Sequence, residues 1–175
     1  MIFYENKPCM EGPRNLTLQI IIGGFQVERM IKTTVEVLTD TEELWKLQNE
    51  FRHEIGEDLL SKKQQENLHK AIEQKRIVFF VAKRLDHPVG ICSVSPCYST
   101  FSCTENGVFD DFYVEPDFRK QGIARRLILA AQEWCKTQGY ASLTVGCADC
   151  DIGMYSALGF KMRLGTMLAA DLQTE

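Results

Sequence analysis

Hydrophobic and polar positions alternate along several stretches of the chain, and a period of two predicts β-strands. The glycine pair Gly23-Gly24 lies between two such stretches and is typical of a hairpin turn. The run from Ile77 to Ala82 is continuously apolar and bounded by charge, which predicts a central strand. Strands are predicted over residues 16–22, 25–30, 34–38, 77–82, 89–94, 108–114 and 141–145, with a final strand pair from Phe160 onward.

A helical period appears in four other segments. Thr39 with Glu42 resembles a capping box and predicts the start of a first helix, and Ser61 predicts the start of a second. The strongest apolar stripe begins after Gly122 and ends at Gly139, and a short helix is predicted over 151–158. Residues 95–106 are polar and are predicted to form a loop.

The order of these elements predicts an α+β domain built on one mixed sheet. The chain has 175 residues, which suits a single domain. We expect residues 1–30 to be an N-terminal extension that contains a hairpin, and residues 31–175 to be the main domain.

Composition narrows the class of protein. Of the residues, 45% are hydrophobic and the formal net charge is -4, which disfavours nucleic acid as a partner. The chain contains no apolar run of membrane-spanning length and no secretory signal pattern. Seven cysteines without a regular framework indicate reduced thiols, so we expect a cytoplasmic protein with no membrane partner.

The segment from Val108 to Leu127 carries the most specific chemistry. A predicted strand ends at Pro116, and a basic loop with Gly122 then enters a helix directly. The first turn of a helix has free N–H groups with partial positive charge, so this corner could bind a pyrophosphate. It has too few glycines for a dinucleotide fingerprint and lacks the Lys-Ser/Thr of a P-loop. From spacing alone, a solvated helix start explains the segment equally well.

Two motifs in this chain resemble those of the GNAT (GCN5-related N-acetyltransferase) superfamily. Arg119-Lys-Gln-Gly122-Ile-Ala124 fits its Gln/Arg-x-x-Gly-x-Gly/Ala signature, and Met154-Tyr155-Ser-Ala-Leu-Gly-Phe160 is similar to its Leu-Tyr-x-x-Leu-Gly-Phe. The resemblance implies the fold of that superfamily: a mostly antiparallel central sheet with flanking helices and a splay between the fourth and fifth core strands. It implies a small-molecule acetyltransferase that moves an acetyl group from acetyl-CoA to a primary amine, without a metal.

The resemblance also implies the cofactor site. The pantetheine arm would pair with backbone groups in the splayed strand, and the pyrophosphate would bind the loop and first helical turn. The residues carried over are Phe112, Tyr113, Val114, Arg119, Lys120, Gln121, Gly122, Ile123, Ala124 and Arg125. The chain departs from the family at Ala148, where an Asn often binds pantetheine.

Three groups of residues are candidates for catalysis and acceptor binding. Tyr155 stands at the position of the family's general acid, and a packed core aromatic is the alternative. Asp110 is the candidate base, expected to share a side of its strand with Phe112 and Val114, while Asp111 faces the other way. An orienting carboxylate is equally open for Asp110. Candidates for acceptor binding are Glu54, Asp111 and Tyr98.

Several alternatives remain. A solvated acidic turn explains Glu54 more simply, and Tyr98 could pack on the core. Cys147-Ala-Asp-Cys150 is similar to a redox or zinc-binding pair, although only one such pair is present. The second functional hypothesis is a catalytically silent module that binds acetyl-CoA or a protein. A homodimer is left open.

Overall fold

The computed structural model describes residues 20–22, 25–27 and 32–167. The strands are β1 (Ile20–Ile22), β2 (Phe25–Val27), β3 (Thr33–Val37), β4 (Val78–Arg84), β5 (His87–Ser99), β6 (Thr104–Val114) and β7 (Leu143–Val145). The helices are α1 (Glu42–Ile55), α2 (Lys62–Glu73), α3 (Ile123–Thr137) and α4 (Ile152–Ala157).

Five strands form one mixed sheet in the order β3-β4-β5-β6-β7. Neighbours are antiparallel except β6 and β7, which are parallel because α3 connects them. The predicted α+β fold on a mixed sheet is therefore confirmed. Strands β1 and β2 pair as a separate antiparallel ribbon. The connecting glycine pair, residues 1–19 and the predicted boundary at residue 30 lie outside the described residues, as do residues 168–175.

The sheet is covered on both faces, which is why the predicted central strand β4 is apolar at consecutive positions. Phe79 packs in the cluster under α1, and Phe80 packs in the cluster under α3. Helix α3 contributes the fully buried Leu127 and Ile128 to its side. Burying each such side chain contributes about 1.5–3 kcal/mol to stability, so this stripe fixes α3 against the sheet.

The helix starts confirm one sequence prediction and correct another. The Ser61 hydroxyl accepts from the Gln64 N–H, and the Gln64 side chain accepts from the Ser61 N–H at 2.9 Å, which completes a capping box for α2. Helix α1 starts after Thr41 with no side-chain cap, so the predicted Thr39 box is wrong. The Asp40 carboxylate accepts from the Glu42 N–H at 3.0 Å instead.

Two further predictions are wrong. Residues 95–106 do not form a polar loop, because β5 and β6 continue as a long hairpin in which Tyr98 lies opposite Glu105. Most side chains there are exposed, so the sequence shows no alternation of apolar and polar residues that would predict the strands. The backbone hydrogen bonds between β5 and β6 nevertheless continue through this region. No strand occurs in residues 160–167, where the final strand pair was expected to begin.

Candidate active site

The two parallel strands of the sheet separate at the centre of the candidate site. Strand β7 pairs with β6 only through the register Gly107–Leu143 to Phe109–Val145. Strand β6 continues to Val114 while β7 ends, so residues 110–114 have no partner strand on that side among the described residues. This opening is the splay predicted between the fourth and fifth strands of the core sheet.

Backbone direction shows which groups face the opening. The Glu115 N–H donates to the Val89 carbonyl of β5 at 3.0 Å. The Val114 carbonyl belongs to the same peptide group and points the opposite way, because the N–H and C=O of a trans peptide lie on opposite sides. The backbone groups of Phe112 point the same way as those of Val114, as expected for the arm-binding residues. The Val114 carbonyl, however, already accepts from Arg119 Nε at 2.7 Å.

The loop that opens α3 presents unpaired amides. The N–H groups of residues 120–125 donate no hydrogen bond to any described residue. Lys120 and Gly122 have positive φ values of 62° and 80°. A Cβ built on Gly122 would meet nothing within 4 Å, so the backbone faces open space. With exposed Lys120 and Arg125 beside it, this loop has the donors and charge to hold a diphosphate.

Arg119, the first residue of the motif, does not point into this loop. Its guanidinium pairs with the Glu54 carboxylate of α1 and lies 5.6 Å from the Tyr113 ring centroid. The backbone N–H of Arg119 donates to the Pro116 carbonyl at 3.2 Å. Arg119 therefore ties the loop to α1 and to the end of β6, which differs from the direct phosphate contact expected from charge.

Gln121 is held by Arg84, a residue that the sequence analysis did not identify. The Arg84 guanidinium donates to Gln121 Oε1 and lies 5.9 Å from the Phe118 ring centroid. Gln121 Nε2 in turn donates to the Asp117 carbonyl at 2.9 Å. Arg84 ends β4, far from the motif in sequence, so no local signal marks it.

A β-bulge corrects the predicted orientation of the two aspartates. Ile91 lies opposite Tyr113 while Ser93 lies opposite Asp110, so β6 has one residue more than β5 between these pairs. Asp111 has a φ of 48°, a left-handed conformation that Asp tolerates better than most residues. The register places Asp110 on the same face as Ser93, on the α1 side. Asp110 therefore does not share a side with Phe112, and the two aspartates do not face opposite ways.

The carboxylates of Asp110 and Asp111 have different surroundings. Ser93 Oγ donates to Asp111 at 2.8 Å, and Gln48 Nε2 donates to the same carboxylate at 3.2 Å. Loss of hydration around the Asp110 carboxyl raises its pKa, and the nearby Asp111 charge raises it further. Asp110 thus has the raised pKa expected of a proton acceptor, and the Asp111 carboxylate is held next to it by Ser93 and Gln48. Sequence reasoning missed Gln48 and Ser93, which have no motif of their own.

Tyr155 lies on the other face, beside the opening. Its ring centroid is 6.2 Å from that of Phe112 and 6.5 Å from that of Phe109. The Phe160 ring packs edge-on at 5.8 Å. Since Phe109 is the last residue of β6 paired to β7, this cluster holds Tyr155 at the point where the strands separate.

An open groove runs along α1 on the face of Asp110 and Asp111. Its volume is about 440 Å³, and it is lined by Asn49, Glu50, His53, Glu54, Leu59, Tyr113 and Pro116. Burial and, to a smaller extent, the Glu50 and Glu54 carboxylates together raise the pKa of the Tyr113 phenol to about 12, so Tyr113 stays a neutral donor. It donates to Glu50 Oε2 at 3.4 Å.

The predicted acceptor residues do not all meet at this groove. Glu54 lines it, but its carboxylate already pairs with Arg119. Tyr98 lies opposite Glu105, five residues along β6 from Asp110, which is about 17 Å at 3.3 Å per residue. The structure does not bring Tyr98 to the groove.

The cysteine pair shows no sign of an activated thiol. Cys147 and Cys150 are free and exposed. Partial burial raises the pKa of the Cys147 thiol, and Asp151 and Asp149 raise it further, which is opposite to the shift that activates a nucleophile. Among residues 32–167, no three His, Cys, Asp or Glu side chains could together hold a metal ion.

Together, the mixed sheet and its splayed strands define an acetyltransferase fold. The family model described as "Acetyltransferase (GNAT) family" matches residues 40–160, which is more than half of the chain. The chain belongs to the GNAT acetyltransferase family. No curated protein sequence matches it. No helix in the described part of the chain is long and apolar enough to cross a membrane.

Solved structures share this fold at low sequence identity. An aminoglycoside acetyltransferase from an uncultured soil metagenomic sample, in complex with sisomicin, is 20% identical with a TM-score of 0.65, over 82% of this chain and 96% of that one. Glucosamine-6-phosphate N-acetyltransferase from Arabidopsis thaliana is 13% identical with a TM-score of 0.67, over 82% and 99%. A predicted acetyltransferase with acetyl-CoA from Clostridium acetobutylicum is 13% identical with a TM-score of 0.65, over 79% and 96%.

Proposed function

We propose that this protein is an acetyl-CoA-dependent N-acetyltransferase that acetylates a primary amine of a small molecule. The observation that carries the proposal is the opening between β6 and β7 next to the unpaired amides of the Gly122 loop. A strand edge and a cationic helix start, side by side, match a ligand with an extended amide arm and a diphosphate.

The residues present fit acetyl-CoA. The backbone of Phe112 and the Val114 N–H would bind the arm. The amides of residues 120–125, with Lys120 and Arg125, would bind the diphosphate. When bound, acetyl-CoA supplies a thioester whose acetyl carbon an amine can attack. Arg119 holds the loop through Glu54 and Val114 rather than touching the phosphates.

Acid and base candidates lie on opposite faces of the opening. Tyr155, in its aromatic cluster on the α3 side, would donate its phenolic proton to the departing sulfur. That thiol has a pKa of about 8.5, so a weak acid is sufficient. Asp110, on the α1 side, would accept a proton from the amine. Its raised pKa favours proton acceptance.

The groove along α1 would hold the acceptor, since it lies on the same face as Asp110. Glu50 gives it a carboxylate that suits a cationic amine. Two structural neighbours, an aminoglycoside acetyltransferase and a glucosamine-6-phosphate N-acetyltransferase, act on amino sugars by name. Amino sugars therefore belong in the first panel of acceptors, together with diamines and amino acids.

Two measurements test the proposal in sequence. Isothermal titration calorimetry should show saturable binding of acetyl-CoA, and the absence of saturation at millimolar ligand would remove the proposal. Detection of free thiol across the amine panel should then identify an acceptor. Saturable binding with no thiol release above the hydrolytic background for every amine would favour the catalytically silent module instead.

A further inference from the structure

Arg84 is the last residue of β4 and lies close to the loop that opens α3. It closes β4 next to the tight turn at Leu85 and Asp86, and it is only partly exposed. Its neighbour Lys83 faces the α1 side, where it pairs with Glu36 and Glu43 at 2.7 Å each. Arg84 faces the opposite side, beneath the loop that leads into α3.

The charge of Arg84 is not compensated within the described part of the chain. Arg84 forms no ion pair with a carboxylate of residues 32–167, in contrast to Lys83. Its Nε–H is buried and has no hydrogen-bond partner there. A partly buried cation without a counter-charge is unfavourable, and the positive end of α3 beside it adds to the cost. An anion bound at the loop would offset both.

The contacts of Arg84 lead to the motif. One face of the guanidinium lies against Phe118, and its terminal nitrogen donates to the Gln121 side chain. Gln121 then donates to the Asp117 carbonyl. Through these contacts Arg84 holds Phe118 and Gln121 on either side of the left-handed Lys120, within the loop whose free amides face the ligand site.

We infer that Arg84 is a positioning residue for diphosphate binding, which it supports by holding Gln121 rather than by touching the ligand. This inference rests on the proposed function, because it concerns the affinity for coenzyme A. An ammonium lacks the planar fork that spans an aromatic face and an amide, so lysine cannot replace it. Sequence motifs give no indication of this role, since Arg84 is 35 residues upstream of Arg119.

The test compares the acetyl-CoA Kd of the full-length wild type with those of Arg84→Met, Arg84→Lys and the control Lys83→Met. Calorimetry should show that Arg84→Lys, which keeps the charge, binds about tenfold more weakly, the loss expected for a charge-assisted hydrogen bond. Arg84→Met, which also loses the charge, should bind at least as weakly, while Lys83→Met is unchanged. Gln121→Met should weaken binding similarly. The double variant Arg84→Met/Gln121→Met should lose little more than either single variant, because the two act through one contact.

Three outcomes of this comparison of variants would overturn the inference. Wild-type affinity in Arg84→Met would exclude any role. Full affinity in Arg84→Lys with loss in Arg84→Met would show that charge alone matters. Additive losses in the double variant would show that Arg84 does not act through Gln121. If Arg84→Met does not fold, the Lys variant and its double variant with Gln121→Met decide the question alone.

A second ligand separates positioning of the diphosphate loop from direct contact with the 3′-phosphate. Arg84→Lys should lose affinity equally for CoA and for 3′-dephospho-CoA, which shares the diphosphate. Loss for CoA alone would place Arg84 on the 3′-phosphate and contradict the positioning role. Failure of the wild type to bind acetyl-CoA at all is a different result, since it removes the proposed function and not only the inference.

Discussion

The Arg119 guanidinium forms an ion pair with Glu54, and this contact joins the loop before α3 to the last turn of α1. The loop is the proposed diphosphate site, and α1 is a wall of the groove proposed for the acceptor. One ion pair thus connects the two sites. It also occupies the Glu54 carboxylate, which the sequence analysis proposed as a binding group for the ammonium of the acceptor.

Glu54→Gln should weaken acetyl-CoA binding by up to about fivefold, because a partly exposed ion pair contributes about 0.2–1 kcal/mol to holding the loop. Calorimetry measures this change. Glu57→Gln is the control, since Glu57 pairs with Arg52 at the same helix end instead of with Arg119. An unchanged acetyl-CoA Kd together with a raised KM for the acceptor would instead assign Glu54 to the acceptor.

Gly122→Ala should lower both stability and acetyl-CoA affinity. The φ of 80° costs an alanine about 1 kcal/mol, although the added methyl group meets no atom. Gly139→Ala is a matched control, because Gly139 has a φ of 76° at the other end of α3 and also faces open space. Urea unfolding should show similar losses for both variants, whereas calorimetry should show weaker binding for Gly122→Ala only. Equal affinity of the two variants would remove the loop from the ligand site.

Tyr155→Phe should reduce kcat roughly a hundredfold while the acetyl-CoA Kd changes less than about twofold, since the phenol acts as an acid and the ring keeps its packing. Stopped assays of thiol release with the best acceptor measure kcat. Tyr140→Phe is the control, a tyrosine that packs on Trp134 at 5.5 Å outside the site. Undiminished turnover in Tyr155→Phe would mean that the residue is only part of the aromatic cluster.

Activity should fall as the pH drops through the pKa of Asp110, because a base must be deprotonated to accept a proton. Partial loss of hydration and the Asp111 charge raise that pKa, so the acidic limb lies above the ordinary range of an aspartate. Asp111→Asn removes the neighbouring charge and should move the limb to lower pH. The pH dependence of kcat/KM measures both effects.

Asp110→Asn should lower the rate and remove the limb. Should that variant keep the wild-type pH profile, another group is the base. Asp58→Asn, in the turn after α1, controls for a general change in surface charge.

Much of the site could be predicted because its signals are local. The turn at Gly122 that leads into α3 depends on the conformational freedom of one glycine and on the apolar stripe of the helix that follows it. The apolar run before Lys83 likewise predicts a strand buried on both faces. Each of these features is encoded by residues that are neighbours in the chain.

What the tertiary structure decided is which distant groups meet. Strict alternation placed Asp110 and Asp111 on opposite faces, but the bulge opposite Cys92 adds a residue and turns both toward α1. The motif predicts that Arg119 binds phosphate. In the folded chain its guanidinium instead pairs with Glu54, which is 65 positions away in the sequence. Arg84 has no motif at all. Periodicity is a property of consecutive residues, whereas a bulge and a long-range ion pair depend on how separate elements pack, so only the folded chain determines them.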